Sequence, residues 1–199
     1  MLKIKDIRMY LYEELSEHYP ETELRGFFNL IVESLFNFSN MEALIHSDRL
    51  IENHDIKEVQ RIISLIKKEI PIQQILGYSW FYGYKFNISK DVLIPRPETE
   101  ELVDWILKDK PNHKSILDIG SGSGCICISL ALNSSSKVSS LDVSKLALKQ
   151  AEENAHKLGA AVHFVHANIF AADTVFKLDF YDIIVSNPPY VLHSDKSMM

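Results

Sequence analysis

Two short stretches of this sequence carry residue types at spacings that could do chemistry. The first is Asn187-Pro188-Pro189-Tyr190, which ends the apolar run "YDIIVS". Consecutive prolines have no N–H to give a ladder, so strand pairing must stop near Ser186, and each residue before a proline is pushed to an extended conformation. A rigid elbow should result, with the Asn187 side-chain oxygen and the Pro188 carbonyl as two fixed acceptors. Two acceptors suit an NH2 group. An amide or aromatic amine is a poor nucleophile because its lone pair is delocalised. Holding both hydrogens lets the nitrogen become tetrahedral as it attacks, and the acceptors strengthen as positive charge develops. Tyr190 can lie on the planar group and exclude water. The plain alternative is a strand ended by proline and followed by a surface tyrosine.

The second stretch, "LDIGSGSGC", follows a predicted strand and opens a predicted helix. Gly120, Gly122 and Gly124, with Ser121 and Ser123 between them, allow a tight turn and close approach of a ligand to the backbone. A dinucleotide fingerprint would place its third glycine at position 125, where Cys125 stands, so a pyrophosphate is the weaker reading. S-adenosylmethionine is the stronger one: it has no phosphate, needs backbone contact along its methionine portion, and carries a ribose. Asp142 ends the next strand, where a carboxylate can accept bonds from both ribose hydroxyls. Asn168 and Ile169 follow the third strand, where an amide can pair with the adenine edge and an apolar side chain can cover its face. A structural turn and an ordinary loop asparagine are the plain alternatives.

These residues need a scaffold. Up to residue 72 the periodicity is helical: Leu24, Phe27, Phe28, Ile31 and Leu35 mark one apolar face, and Ile56, Val59, Ile62, Ile63, Ile66 and Ile70 another. The aromatic alternation around Gly83 predicts a hairpin, and "RPETE" leads into a helix. From residue 115, strand and helix patterns alternate, which predicts an α/β fold with a parallel sheet covered on both faces. The expected division is a helical domain at 1–72, a hairpin linker at 73–95 and a partial catalytic domain at 96–199.

Composition narrows the partners. The formal net charge is −6, and residues 1–72 hold nine basic and thirteen acidic side chains, which argues against affinity drawn mainly from nucleic-acid phosphates. No apolar run approaches the roughly 20 residues that span a bilayer, and the N-terminus is too charged for a secretory signal, so a cytoplasmic protein with no membrane partner is expected. Cys125 and Cys127 complete no zinc pattern and are expected as reduced, buried thiols. His163 and His166 lie three apart on a strand and so face opposite sides, a poor metal geometry. No metal is expected, and nothing in the sequence specifies an oligomeric state.

"ILGYSWFYGYKF", "LIPRPETEELV", "LDIGSGSGCICISLA" and "NPPYV" occur in the order and spacing of the release factor glutamine methyltransferases, the HemK/PrmC type, which this chain resembles from about residue 72 to 192. The resemblance implies a class I, Rossmann-like, S-adenosylmethionine-dependent methyltransferase. Its substrate would be the side-chain amide nitrogen of the glutamine in the Gly-Gly-Gln loop of class I peptide chain release factors, and its product S-adenosylhomocysteine. Gly120 through Gly124, Asp142, Asn168, Ile169 and Asn187 would line the cofactor, while Asn187, Pro188, Pro189 and Tyr190 would hold the glutamine amide. The helical domain would help grip the release factor. Asn-Pro-Pro-Tyr also occurs in enzymes that methylate exocyclic amines of nucleic acids, and the upstream "LIPRPETE" run is what chooses between them. A non-catalytic binding form is the remaining alternative. The "RPETE" run, Arg96 to Glu100, should lie near the site, with no separate role assigned. Asn168 stands where the family more often has aspartate. The family continues with further strands after the elbow, so the chain is expected to be cut short, to leave "YDIIVS" as an exposed apolar edge, and to bind cofactor while catalysing poorly.

Overall fold

The structure is a computed structural model that describes residues 2–171 and 180–188. The chain divides into two compact units, Met1–Leu76 and Gly77–Met199.

The first unit is helical: α1 (Ile4–Leu15), α2 (Glu21–Phe36), α3 (Asn40–Ile45), α4 (Asn53–Ile66) and α5 (Ile72–Leu76). Its core follows the apolar stripes. Leu24, Phe27 and Ile31 of α2 meet Val59, Ile62, Ile63 and Ile66 of α4, together with Ile4, Ile7, Leu11 and Leu15 of α1. Phe28, Leu35 and Ile56 sit at the margin of that core, half-buried. Ser39 caps α3 by accepting the Glu42 N–H, while Glu42 accepts the Ser39 N–H at 2.8 Å, so the short helix starts with two of its end groups satisfied.

The second unit opens with the hairpin β1 (Tyr78–Phe81) and β2 (Tyr84–Asn87), joined by Tyr82 and Gly83, both in the left-handed region (φ 50° and 79°). Two such residues make the turn whose twist matches antiparallel strands. The hairpin is part of this unit's core: Phe81 and Phe86 are fully buried, edge to face, beside Val103, Ile116 and Ile128. Next come α6 (Pro97–Lys108), β3 (Ser115–Ile119), α7 (Cys125–Asn133), β4 (Lys137–Asp142), α8 (Lys145–Leu158), β5 (Val162–His166) and β6 (Ile183–Ser186). Proline at the first helical position and two glutamates in the first turn explain why α6 starts where it does.

The four later strands form one parallel sheet in the order β5-β4-β3-β6. Ile116, Leu117 and Asp118 are buried in succession, and successive side chains point to opposite faces, so β3 is covered on both. The order reverses at β3: β4 and β5 lie on one side of it and β6 on the other. Ligands of open parallel sheets bind beyond the carboxyl ends of the strands at such a reversal.

Among the described residues β6 pairs on one side only, with Ile184 on it 63% exposed. Its register is pinned at both ends. The Asp182 carboxylate accepts the Ser115 N–H (2.8 Å) and hydroxyl (2.9 Å), and the Ser186 hydroxyl donates to the Ile119 carbonyl (2.8 Å). The bond from the Ser115 N–H holds the Asp182 carboxyl below its ordinary range, so the pin persists in its ionised form. No helix among the described residues is long and apolar enough to cross a membrane.

Candidate active site

A cleft of about 890 Å³ opens beyond the carboxyl ends of β3, β4 and β6. Nine of the twelve site residues named from the sequence line it. Gly120, Ser121, Gly122 and Ser123 form one wall, Asp142, Asn168 and Ile169 another, and Asn187 and Pro188 a third. Pro189 and Tyr190 lie outside the described residues.

The glycine-rich turn is built from backbone bonds. The Gly120 and Ser121 N–H groups donate to the Leu141 carbonyl (2.8 and 3.2 Å), which carries the β3–β4 ladder past the end of β3, and the Gly124 N–H closes the turn on the Ser121 carbonyl (2.7 Å). A methyl on Gly120 or Gly122 would meet no atom within 4 Å, so the main chain there borders open space. Ser121 and Ser123 turn their side chains into the interior, leaving their backbone to the cleft. Gly124 is absent from the cleft wall. It starts α7 at φ 81°, and a methyl there would stand 2.7 Å from Ile128 Cδ1 and 3.0 Å from Ala151 Cβ. Its task is to let α7 pack against α8. Gly124→Ala should therefore destabilise the fold by roughly 2 to 3 kcal/mol, from left-handed strain plus the overlap, and lower the denaturation midpoint measured in urea.

Asp142 ends β4 with both carboxylate oxygens engaged, Oδ2 accepting the Gly122 N–H (3.0 Å) and Oδ1 the Ser144 N–H (2.8 Å). A carboxylate has about four acceptor sites, so two fixed bonds orient it and leave capacity for a diol. Asn168 is held by its oxygen, which accepts the Phe170 N–H at 3.0 Å. These are residues suited to a nucleoside: an oriented carboxylate, an amide, an apolar neighbour in Ile169 and a bare backbone turn.

Asn187 follows β6 directly and is half-buried. Its Nδ2 donates to Thr99 Oγ1 at 2.9 Å. Thr99 belongs to the first turn of α6 and is 7% exposed. The next residue, Glu100, accepts the Tyr82 N–H of the hairpin turn at 2.9 Å. The "RPETE" run thus joins the hairpin to the elbow, a role that the sequence reading left unassigned. Asn154 of α8 was missed altogether. Fully buried, it accepts the Asn87 N–H (2.8 Å) and donates to the carbonyls of Asn87 (3.1 Å) and Ser123 (2.9 Å), tying β2 to the glycine-rich turn. Nothing in its local sequence separates it from any other polar helix residue.

Behind the turn lies a buried polar chain. Ser121 and Ser140 share a hydrogen bond (2.7 Å), and Ser140 Oγ lies 3.2 Å from Asp118 Oδ2. Burial pushes the Asp118 carboxyl up to about 7, and the Ser140 hydroxyl pulls it back only in part. Cys127, also buried, has its thiol raised well above the ordinary value for the same reason, and neither cysteine is in a disulfide. An unfolded aspartate titrates near 4, so between about 4 and about 7 the folded state holds the extra proton. The contribution of Asp118 to stability is present below that window and is lost as pH rises through it. Asp118→Asn cannot ionise and should gain on the unsubstituted chain as pH goes from 5 to 8, read as a difference in melting temperature at the two values. His166 Nε2 is 3.0 Å from the Val143 carbonyl, a bond that employs it structurally.

A family described as a methyltransferase domain matches residues 110–198. A release factor glutamine methyltransferase of Bacteroides thetaiotaomicron is 40% identical over 194 residues, covering 97% of this chain and 69% of that protein. The chain belongs to the release factor glutamine methyltransferase family. A second release factor glutamine methyltransferase, from Flavobacterium psychrophilum, is 38% identical with the same coverage of both chains. Among solved structures, a 16S rRNA N2 methyltransferase of T. thermophilus, determined with AdoMet and guanosine, superposes at a TM-score of 0.50 with 18% identity, covering 58% of this chain and 33% of that one. At that identity the likeness speaks to fold, and the fold is the Rossmann-like sheet of class I methyltransferases. Within the release factor glutamine methyltransferase family, the cleft at the sheet's reversal point is the candidate active site of this chain.

Proposed function

We propose that the chain transfers a methyl group from S-adenosylmethionine to the side-chain amide nitrogen of the glutamine in the Gly-Gly-Gln loop of peptide chain release factors, in the cytoplasm. One observation carries this reading: Asn187 is hydrogen-bonded to Thr99 and emerges from β6 beside the glycine-rich turn that emerges from β3. The acceptor for an NH2 group and the backbone turn for a nucleoside therefore share one cleft.

S-adenosylmethionine supplies a methyl group already activated on a sulfonium. Gly120 to Ser123 would meet its methionine portion through the backbone, Asp142 its ribose hydroxyls, and Asn168 and Ile169 its adenine. Asn187 Oδ1 and the Pro188 carbonyl would accept the two hydrogens of the glutamine amide. Those acceptors bind more strongly as the nitrogen gains positive charge, which favours the transition state over the bound substrate. Alignment supplies the rest, since holding reactants in a near-attack geometry removes much of the entropic barrier. Pro189 and Tyr190 are expected to complete the grip on the glutamine. For the helical unit, exposed Met9, Met41, Leu44 and Ile45 on an acidic module support a role in holding the release factor.

Mixing the chain with S-adenosylmethionine and a release factor, then digesting the product, should show one added methyl on the peptide carrying Gly-Gly-Gln. Label appearing in RNA and not in the release factor would overturn the reading.

A further inference from the structure

A buried acid with no cation beside it is strongly disfavoured in its ionised form. Asp118 of β3 is such an acid: it is 1% exposed, and its Oδ1 has no hydrogen-bond partner among the described residues. The nearby Cys127 thiol donates to the Gly124 carbonyl instead (3.3 Å). The titratable groups around it supply no positive charge. They are Cys125 and Cys127 of α7, thiols that burial pushes up and keeps neutral, and Asp142 at the end of β4, whose like charge opposes ionisation. Beside it in the sheet stand Ser140 on β4 and Val185 on β6, neither of them charged.

The acid nevertheless sits close behind the cleft. Asp118 precedes Gly120 by two residues, and its Oδ2 is connected through Ser140 Oγ (3.2 Å) to Ser121 Oγ (2.7 Å), which belongs to a residue of the cleft wall. Ser121 is part of the turn that would meet the methionine portion of S-adenosylmethionine. That portion carries a sulfonium and an ammonium against one carboxylate, so positive charge is in excess. After transfer the sulfur is an uncharged thioether. The interior screens charge far less than water does, and an opposite charge lowers the pKa of a carboxyl, by about 1 to 3 units at close range.

We propose that Asp118 senses the charge on the methyl donor: it holds a proton in the free protein and releases it to water when a sulfonium enters the cleft, so the cleft favours S-adenosylmethionine over S-adenosylhomocysteine increasingly as pH rises to neutrality. This rests on the reading of the cleft given above. The direction of the Ser121 and Ser140 hydroxyls does not enter, because one charge acts on another. In the free protein the acid titrates at about 7, held up by its burial. A cation favours the ionised form and lowers that value, so binding tightens as pH rises from the bound-state value to the free one and is level above it.

Isothermal titration of the full chain with S-adenosylmethionine and with S-adenosylhomocysteine tests this. Affinity for S-adenosylmethionine should be roughly 5- to 10-fold higher at about pH 7.5 than at about pH 5.5, as a shift of about one unit requires, and the gain for S-adenosylhomocysteine should be less than half of that. Titration in two buffers of different ionisation heat counts protons. At about pH 6.5, below the range of an α-amino group, S-adenosylmethionine should release part of a proton and S-adenosylhomocysteine less. Asp118→Asn should abolish the release and level the S-adenosylmethionine profile. His166, opposite Asp142, is retained in that variant, so a histidine contribution would survive the substitution. With 13C at the aspartate carboxyls, the Asp118 signal, identified by its absence from Asp118→Asn, should move toward the ionised position when S-adenosylmethionine is added at the same pH. Equal profiles for the two ligands overturn the proposal, and so does proton release that persists in Asp118→Asn. If that variant fails to fold, the difference in proton count between the two ligands on the unsubstituted chain decides, and a difference of zero overturns the proposal. Binding of both ligands with no pH dependence overturns this inference alone, whereas binding of neither at any pH overturns the reading of the cleft as well.

Discussion

Asn187→Ala should reduce methyl transfer to a release factor by about 100- to 1,000-fold, the usual consequence of deleting a preorganised group aimed at charge that develops in the transition state. The substitution removes the Oδ1 acceptor and the Nδ2 donor that meets Thr99 at 2.9 Å. It leaves the sheet alone, because the ladder ends one residue earlier, at Ser186 opposite Ile119. Affinity for S-adenosylmethionine should move only a few-fold, since Gly122 and Asp142 keep each other in place from strands on the other side of the reversal point. Isothermal titration beside single-turnover transfer separates the two quantities. Transfer within about threefold of the unsubstituted rate would remove Asn187 from the chemistry.

The second large effect belongs to Asn154, and it falls on the fold. Its amide imitates a strand, giving the Asn87 backbone the donor and acceptor that a neighbouring ladder would give, and using its remaining hydrogen on the Ser123 carbonyl. Asn154→Ala would orphan three backbone groups. Each costs about 1 to 3 kcal/mol when left unpaired, and Asn87 is only half-buried, so water can relieve part of the loss. A drop of roughly 2 to 4 kcal/mol follows from those terms. Asn154→Asp should be worse than alanine at neutral pH, because it aims a buried carboxylate at two carbonyl oxygens. Urea denaturation of the three proteins gives the ranking, and an aspartate variant as stable as the parent would refute the donor assignment.

How far the sequence announces this architecture depends on the range of the contact. β3 is legible because "SILDI" is apolar and is followed by glycines, both local facts. Asp142, Asn168 and Asn187 are legible because each stands at or just after the end of a strand, and the carboxyl ends of parallel strands converge on one edge. The hairpin is legible from the aromatic alternation around Gly83, but its burial in the second unit is not, since Phe81 and Phe86 pack among Val103, Ile116 and Ile128 and Asn87 bonds to Asn154, 67 residues away. Thr99 is hidden for the same reason. A threonine in the first turn of a charged helix reads as solvated, and only the fold brings Asn187 to it. Gly124 carries a packing constraint that its spacing does not announce. Its spacing matches a ligand turn, while its missing side chain serves Ile128 and Ala151.

The pins at the two ends of β6 have a consequence for how faults in this protein would show themselves. A slip of one place along β3 would shift Asn187 by roughly 3.3 Å and swing each side chain of the strand to the opposite face, exposing the buried Val185. Keeping the face requires a slip of two, which is roughly 7 Å. Misalignment of the methyl acceptor therefore comes in whole steps and has no gentle slope. A chain is either threaded correctly, with Asp182 seated on Ser115, or it is dead.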